Sequence, residues 1–433
     1  MIPTIIISII TCIGLILGVL IYPKIKIKKI HLNSYWVVAL IGAILLIITG
    51  LVSFKEIFAT LFSNSSMNPI KILILFFSMT LLSIFLGEVG FFKYLASKAG
   101  SIAKSSQKKL FVILYFLVAI LTVFTSNDIV VLTFTPFICY FCKNSKINPI
   151  PYLVGEFAAS NTWSMMLIIG NPTNIFLSSA YNIGFIEYLK IMFVPTILAG
   201  LVQFSLILLI FNKKLSQPMK NDFEISEIRN KFDFIVSLIH LLICLVMLVI
   251  SSYLNIAMWL IALGCAVSLL TILIISKIVR KRSLYSIYYT TKRLPFELIP
   301  FVISMFIIVI ALDKYQVSKL ISDFLGESNI IFNYGITSFA FCNLINNIPM
   351  SVLFSSIPHM TLEINNLQAI YATIIGSNIG AFLTPIGALA GIMFTSLLNV
   401  YEINYGFKKF IKYGIIIAIP TLFTALATLY LIF

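Results

Sequence analysis

Twelve apolar stretches follow one another along this chain. Ten are uninterrupted: residues 2–22, 36–52, 70–87, 151–180, 188–211, 234–252, 256–275, 296–312, 367–400 and 410–433. A helix needs roughly 20 apolar residues to cross ~30 Å of hydrocarbon, so each is long enough to span a bilayer. A chain that is 60% hydrophobic and 10% charged, with mean hydropathy +1.06, exceeds what a soluble core requires. The expectation is an all-α polytopic membrane protein of the cell membrane, in contact with lipid. Its net charge of +15 does not imply a nucleic-acid partner. The basic residues fall between the spans, where cytoplasmic loops collect them. Residues 2–22 lack the basic start of a secretion signal and run at once into Lys24, Lys26, Lys28 and Lys29. They read as a first membrane helix whose C-terminal end faces inside.

The other two stretches, residues 109–142 and 330–357, carry polar interruptions, Ser126-Asn127-Asp128 and Ile345-Asn346-Asn347. An Asp or a paired Asn in hydrocarbon costs several kcal/mol unless it lines a polar cavity or binds something. Charge decides how these stretches run. With both as hairpins, every Lys and Arg except Lys55, Lys71, Lys190, Lys314 and Lys319 falls inside. With 109–142 as a single crossing, the basic residues from Lys213 to Arg293 move outside, against the positive-inside tendency. The arms 110–125 and 129–142 are about 24 and 21 Å long, short of a comfortable crossing. About ten transmembrane helices plus two opposed re-entrant hairpins are therefore expected. The first hairpin opens to the cytoplasm, the second to the outside, and both termini are external.

The halves match in order at a spacing of about 220 residues, a sign of internal repetition. Ser78-Met79 with Gly100 returns as Ser304-Met305 with Gly326. Asn127-Asp128 returns as Asn346-Asn347, and Ser160-Asn161 with Gly170 as Ser377-Asn378 with Gly387. Residues 185–190 return as 407–412. An odd number of crossings separates the copies, which inverts the second; inverted repeats with midplane sites on broken helices are a common build of secondary transporters. The chain divides into N-terminal scaffold helices (1–68), a first repeat (69–212, hairpin 109–142, broken helix 151–180) and a cytoplasmic linker (213–232). Further scaffold helices (233–294) and a second repeat (295–433, hairpin 330–357, broken helix 367–400) follow.

Candidate binding residues cluster at four irregular points. Two are the hairpin tips, with Ser126, Asn127, Asp128, Asn346 and Asn347. The others are helix breaks, Gly170-Asn171-Pro172-Thr173-Asn174 and Thr384-Pro385-Ile386-Gly387. Gly and Pro inside a span free backbone carbonyls and amides, which bind cations and anions respectively, although such a break can also be a plain kink. Ser160, Asn161, Thr162, Ser377 and Asn378 precede the breaks and complete the set. Asp128 is the acid at a tip; it can couple transport to H+ or Na+ and can cap the arm that begins at Ile129, and the two roles are compatible. Sodium, if bound, would sit at Asn127, Asp128, Gly170, Asn346 and Asn347. Glu156 is a second proton site or reaches back to the interface. Glu88 reads as interfacial, His240 as a satisfied scaffold residue, and Trp163 as cavity wall or packing. The cysteines, Cys12, Cys139, Cys142, Cys244, Cys265 and Cys342, lie in apolar segments and read as buried thiols, so no metal centre and no cofactor is expected.

The segments Ser-Asn-Asp-Ile-Val-Val-Leu-Thr-Phe-Thr-Pro136, Gly-Asn-Pro-Thr-Asn174, Asn-Asn-Ile-Pro349 and Gly-Ser-Asn-Ile-Gly-Ala-Phe-Leu-Thr-Pro-Ile-Gly-Ala-Leu-Ala390 resemble the ion transporter superfamily. That superfamily includes arsenical pump membrane proteins, citrate-transporter-like permeases, divalent anion/sodium symporters and a group of sodium/proton antiporters. The resemblance implies a scaffold and a transport domain, and hairpin tips that bind ion and substrate. In the sodium symporters the tips read Ser-Asn-Thr; here 126–128 and 345–347 stand in those places, closer to the arsenical pump branch. With no arginine near a tip, a strongly anionic substrate is disfavoured.

The sequence therefore points to a secondary active transporter, not an enzyme: it carries no nucleotide loop, metal-protease motif or nucleophile elbow. The leading expectation is proton-coupled export of arsenite or antimonite. The alternatives are a sodium- or proton-coupled permease for carboxylate or inorganic anions, a sodium/proton antiporter, and a passive channel. Energy from ATP would need a separate subunit. A homodimer is possible by analogy with related families.

Overall fold

The computed structural model describes residues 2–20, 24–27, 30–63, 68–219, 227–228, 230–254, 256–358 and 362–433. Part of the expected linker (220–226 and 229) and the end of the first apolar stretch (21–22) lie outside the described residues. The first half contains α1 (Ile2–Leu20), an antiparallel ribbon of β1 (Lys24–Ile27) and β2 (Ile30–Asn33), α2 (Ser34–Ile48), α3 (Phe54–Leu61) and α4 (Pro69–Glu88). It continues with α5 (Phe91–Ala103), α6 (Gln107–Phe124), α7 (Asn127–Asn144), α8 (Ile150–Trp163), α9 (Pro172–Ala180) and α10 (Phe185–Leu215). The second half holds α11 (Lys231–Leu254), α12 (Met258–Val279), α13 (Tyr285–Lys292), α14 (Leu298–Lys314) and α15 (Val317–Leu325). It ends with α16 (Ile330–Ile345), α17 (Asn347–Phe354), α18 (Glu363–Gly380), α19 (Leu389–Val400) and α20 (Phe407–Ile432).

The ten helices of the second half follow the first half one for one. α3 and α13 are both eight residues long. The repeat thus takes in α1–α3 and α11–α13, which were assigned to scaffold segments outside it on sequence. Of these, α1, α2, α11 and α12 are mostly apolar and offer little polar motif to align, and α3 and α13 are only eight residues long. The ribbon at 24–33 was read only as a basic loop. The alternation Lys24-Ile25-Lys26-Ile27 has the period of a strand.

Side-chain contacts fix the path of each hairpin. Tyr152 at the start of α8 donates to the Gln107 carbonyl at 3.3 Å. Further along, Phe116 of α6 faces Trp163 with ring centroids 6.4 Å apart, so α6 and α8 run the same way. Then Asn127 bonds Asn161, and Thr135 bonds Glu156 at 3.1 Å, so α7 returns along α8. In the second half, α16 rises along α18, with Asn343 donating to the Gly380 carbonyl at 3.0 Å. α17 turns back, bringing Phe354 to within 6.0 Å of Phe341 between ring centroids. Tyr334 and Ser356, near the two ends of this hairpin, both bond serines of α15.

The hairpins open at opposite ends of the molecule. α10 and α20 lie antiparallel: Phe211 meets Tyr413 at 4.9 Å at one end, and Tyr188, Tyr371 and Phe433 cluster at the other. Gln107, at the mouth of the first hairpin, donates to the Gln217 carbonyl just beyond α10, which defines end A. The cluster of Tyr188, near the start of α10, with Tyr371 and Phe433 marks end B. The basic residues Lys108, Lys109, Lys143, Lys213, Lys214, Lys408 and Lys409 all fall at end A by this path.

The packing repeats the symmetry: α2 lies on α14 and α4 on α12, while α7 packs on α19 and α17 on α9. Each hairpin's returning arm therefore rests on the broken helix of the other half. The closest crossing, α16 on α18, depends on glycine. A Cβ on Gly376 would lie 2.2 Å from the Gly335 carbonyl oxygen, and one on Gly380 would lie 2.8 Å from that of Phe339. Among the described residues, α4, α6, α10, α11, α12 and α20 are each long and apolar enough to cross a membrane, and α14 meets α15 at 77°. α11 presents Ile239, Leu242, Ile243 and Val246 outward, as a helix in lipid does. The chain is an all-α multi-pass membrane protein.

Candidate functional site

Both breaks have local causes. Pro172 has no amide hydrogen, so the helix cannot run through it. It occupies the first position of α9, and the Asn171 side chain caps that helix by accepting from the Thr173 amide at 3.2 Å. Between Trp163 and Asn171 the backbone makes two short 3-10 turns. Gly170 belongs there because any Cβ would lie 2.2 Å from the Ser164 carbonyl oxygen. In the second half the broken helix is interrupted between Gly380 and Leu389, and the hairpin tip between α16 and α17 is the single residue Asn346, at φ 74° and ψ 153°. That region is nearly reserved for glycine, and a non-glycine residue there costs about 1–3 kcal/mol. The strain is offset by bonds from Asn346 Nδ2 to the Ile386 carbonyl, at 2.8 Å, and from the Asn347 amide to the Gly387 carbonyl, at 2.9 Å.

Asn378 joins the halves. Its Oδ1 accepts from Ser164 Oγ and Asn171 Nδ2, both at 2.9 Å. Its Nδ2 donates to Asn174 Oδ1 at 2.7 Å and to the Ile374 carbonyl at 2.8 Å. Asn174 in turn donates to the Ser164 and Leu167 carbonyls, replacing helix bonds lost at the break. At the first tip, Asn127 donates to Asn161 Oδ1 at 3.2 Å and accepts from the Asp128 amide at 2.9 Å. Asn343 holds the second break, donating to the Gly380 carbonyl and accepting from Thr384 Oγ1 at 2.7 Å.

Of the predicted set, Ser126, Asn127, Asp128 and Asn161 come together at one tip. Asn346, Asn347, Thr384, Pro385 and Gly387 do so at the other. Asn171 and Asn174 gather on Asn378, joined by Ser164, which sequence reasoning missed. Thr162 is turned elsewhere: it accepts from Gln203 Nε2 at 2.6 Å, on the face toward α10. Ser160 bonds back to the Phe157 carbonyl. The structure places Ser126, not Asp128, at the cap position of α7, and its hydroxyl makes no cap bond. Asp128 sits inside the first turn, which leaves its carboxylate uncommitted to capping. Glu156 does not reach an interface: it is buried, with Thr135 as its hydrogen-bond donor. His240 is satisfied by the Val236 carbonyl and Ser268, Trp163 packs on Gly200, and Glu88 pairs with Arg293 at 3.0 Å.

Ser126 Oγ, Asn347 Oδ1 and Ser377 Oγ are buried without a hydrogen-bond partner among the described residues. Buried polar atoms are normally paired, so these three keep hydrogen-bonding capacity that no described residue uses, as do Thr4, Ser8 and Thr80 elsewhere. Four helix N-termini (α7, α9, α17, α19) and four C-termini (α6, α8, α16, α18) belong to these tips and breaks, offering both amide donors and carbonyl acceptors. The ion pairs found among the described residues, Lys277–Asp233, Arg293–Glu88 and Lys314–Glu56, all involve residues outside the tips and breaks. A cavity of about 620 Å³ reaches from Lys93 and Arg293 at end A to Ile129, the residue that follows Asp128 in the chain. A smaller one of about 20 Å³ lies against Asn346, Ile386 and Tyr35.

Sequence reasoning missed Asn343, Tyr35, Gln203 and Glu297. Asn343 is one helical turn from Asn346, a spacing that places both on one face and was available as a signal. Tyr35 and Glu297 offered none, because they sit at helix starts in different halves.

The comparisons agree with this architecture. The family described as "Citrate transporter" matches residues 26–370. The arsenical pump membrane protein of Escherichia coli (strain K12) is 25% identical over 410 residues, covering 90% of this chain and 92% of that protein. The putative arsenical pump membrane protein of Bacillus subtilis (strain 168) is 24% identical over 433 residues, covering 90% and 93%. The crystal structure of the YdaH transporter from Alcanivorax borkumensis shares the fold, with TM-score 0.52 and 14% identity across 99% of this chain and 97% of that one. With its two interlocked hairpins and paired helix breaks, the chain belongs to the citrate transporter family of the ion transporter superfamily and is a secondary transporter.

Proposed function

We propose that the protein exports arsenite or antimonite in exchange for protons, with Asp128 as the coupling acid. The observation that carries this is the makeup of the tips: one carboxylate among uncharged Ser and Asn side chains, with no Lys, Arg or His in either tip. A multivalent carboxylate solute would find no cation to pair with there. A neutral trihydroxy species meets matching chemistry: amide donors and carbonyl acceptors from the helix ends, and the unpartnered Ser126, Asn347 and Ser377 atoms. The names of the E. coli and B. subtilis relatives support the same solute. A proton suits the site better than sodium, because Asn127 Oδ1 and Asn346 Oδ1 each already accept a backbone amide.

In this reading both hairpins are re-entrant, end A faces the cytoplasm and both termini are external, as the basic loops favour. The cavity from end A is then the cytoplasmic access. The protein sits in the cell membrane, works as a carrier with no chemistry of its own, and pairs as a homodimer. Flux into everted proteoliposomes, with arsenite, citrate, sulfate or sodium under imposed pH or sodium gradients, tests the assignment. Arsenite uptake driven by an acid interior is expected. Citrate or sodium flux without arsenite flux, or unchanged proton-driven flux in Asp128→Asn, would overturn it.

A further inference from the structure

Cys244 sits between two other sulfur side chains, away from the tips and breaks. It lies midway along α11, fully buried, and its thiol donates to the Met79 thioether of α4 at 3.6 Å. Cys265 of α12 is the second thiol. α11 and α12 form an antiparallel pair whose register is fixed by Lys277 on Asp233 at 2.9 Å and by His240 on Ser268 at 3.1 Å. Cys244 is one turn beyond His240, and Cys265 is one turn before Ser268, so the two thiols fall on the facing stripes. They hydrogen-bond to each other. α4 packs on both helices and closes the third side. Within one turn of each sulfur the three helices carry no Asp, Glu, Lys or Arg. The inverted copy of these helices, α1, α2 and α14, carries Cys12 as its one cysteine, so the repeat does not demand the arrangement. A single buried thiol packs as a small hydrophobe; two thiols in contact, with a thioether beside them, are a soft donor set.

We propose that Cys244 and Cys265 together bind trivalent arsenic or antimony as a dithiolate complex, beside Met79. The incoming species is the neutral trihydroxide. Two of its metalloid–oxygen bonds break and two metalloid–sulfur bonds form. The thiol protons leave with the displaced hydroxyls as two waters, one hydroxyl stays, and the metalloid remains trivalent. The product is neutral, which a site without charged neighbours requires. A monovalent soft cation on two thiolates would leave a net negative charge there, with no cation to offset it. Cys265 is partly exposed, so a small uncharged species reaches it first, and the buried Cys244 closes the chelate. Cys139 and Cys142, one turn apart on α7, are the other close pair of thiols, but both are buried. Neither Cys244 nor Cys265 lies at a tip or break, so this site is separate from the proposed solute path and does not rest on the transport assignment.

The test uses the purified full chain in detergent, reduced with a phosphine and incubated with arsenite. Arsenic that stays with the protein through gel filtration is counted by elemental analysis, and about one per chain is expected. Cys244→Ala and Cys265→Ala are each expected to lower retention tenfold or more, while Cys139→Ala/Cys142→Ala leaves it within twofold. A second readout needs no variant to fold: in the unaltered protein, arsenite should slow maleimide labelling of Cys265 at least tenfold, while Cys12, also partly exposed, labels at its arsenite-free rate. Undiminished retention in Cys244→Ala/Cys265→Ala, or unslowed labelling of Cys265, would overturn the site. Arsenic retained by a protein that carries no arsenite flux in proteoliposomes would overturn the transport assignment and leave this site standing; flux without retention would do the reverse.

Discussion

Replacing Asn378 with Ala removes the side chain on which Ser164, Asn171 and Asn174 of the other half converge. Ser164 Oγ can fall back on the Asn161 carbonyl, 2.7 Å away. Asn171 Nδ2 and Asn174 Oδ1 have no equally good substitute, since the Thr173 hydroxyl approaches Asn174 Oδ1 only at 3.5 Å. All of these groups are fully buried. A stranded buried polar group costs about 1–3 kcal/mol. Two of them give about 2–6 kcal/mol. Hydrogen bonds inside membrane proteins average nearer ~0.6 kcal/mol, so the lower half of that range is expected, about 2–3 kcal/mol. Ser377→Ala is the control: it sits on the same turn and is equally buried, but its hydroxyl has no partner in the structure. Removing an unpartnered hydroxyl should cost under ~0.5 kcal/mol. Reversible unfolding in mixed micelles, followed by circular dichroism, measures both. Transport adds a second axis: Ser377→Ala should weaken solute binding in a stable protein, whereas Asn378→Ala should lose flux together with stability. If Asn378→Ala unfolds no more easily than Ser377→Ala, the halves are not joined through this side chain.

Gly376→Ala should force α16 and α18 apart, because its Cβ would lie 2.1 Å from Ser338 Oγ as well as against the Gly335 carbonyl. A loss of about 1–3 kcal/mol is expected for overpacking, with transport lost through the displaced Asn343–Thr384 pair; wild-type stability and flux would show that the helices can separate freely. Glu56 pairs with Lys314 at 2.8 Å and accepts from the Ser53 amide and hydroxyl, which together hold its carboxyl at about 2. Its folded value is depressed, so its contribution to stability is complete above the usual carboxylate range and fades as pH falls from about 4.5 toward 2. The stability gap between wild type and Glu56→Gln should therefore be small, because the pair is exposed, constant from pH 7 to 5, and closed at low pH. A gap that widens on acidification would contradict the assignment.

The sequence by itself determined the all-α membrane class, and it located the two tips and two breaks that interrupt the helices. Each rests on a local cost that any fold must meet. Apolar runs must leave water, Ser126-Asn127-Asp128 and Asn346-Asn347 cannot face lipid, and Pro172 cannot continue a helix. Charge placement predicted the direction of the hairpins, because Lys and Arg cross membranes poorly. Tertiary structure alone decided what those motifs touch. Thr162 looked like a site residue and instead faces Gln203, since a helix shows its periodicity in sequence but not which neighbour covers each face. α1–α3 joined the repeat only in three dimensions, because the long apolar α1 and α2 and the short α3 carry too little motif to align. Tyr35 and Glu297 meet across 262 positions of chain. Their pairing follows from the packing of α2 on α14, and nothing in either local sequence foretells it.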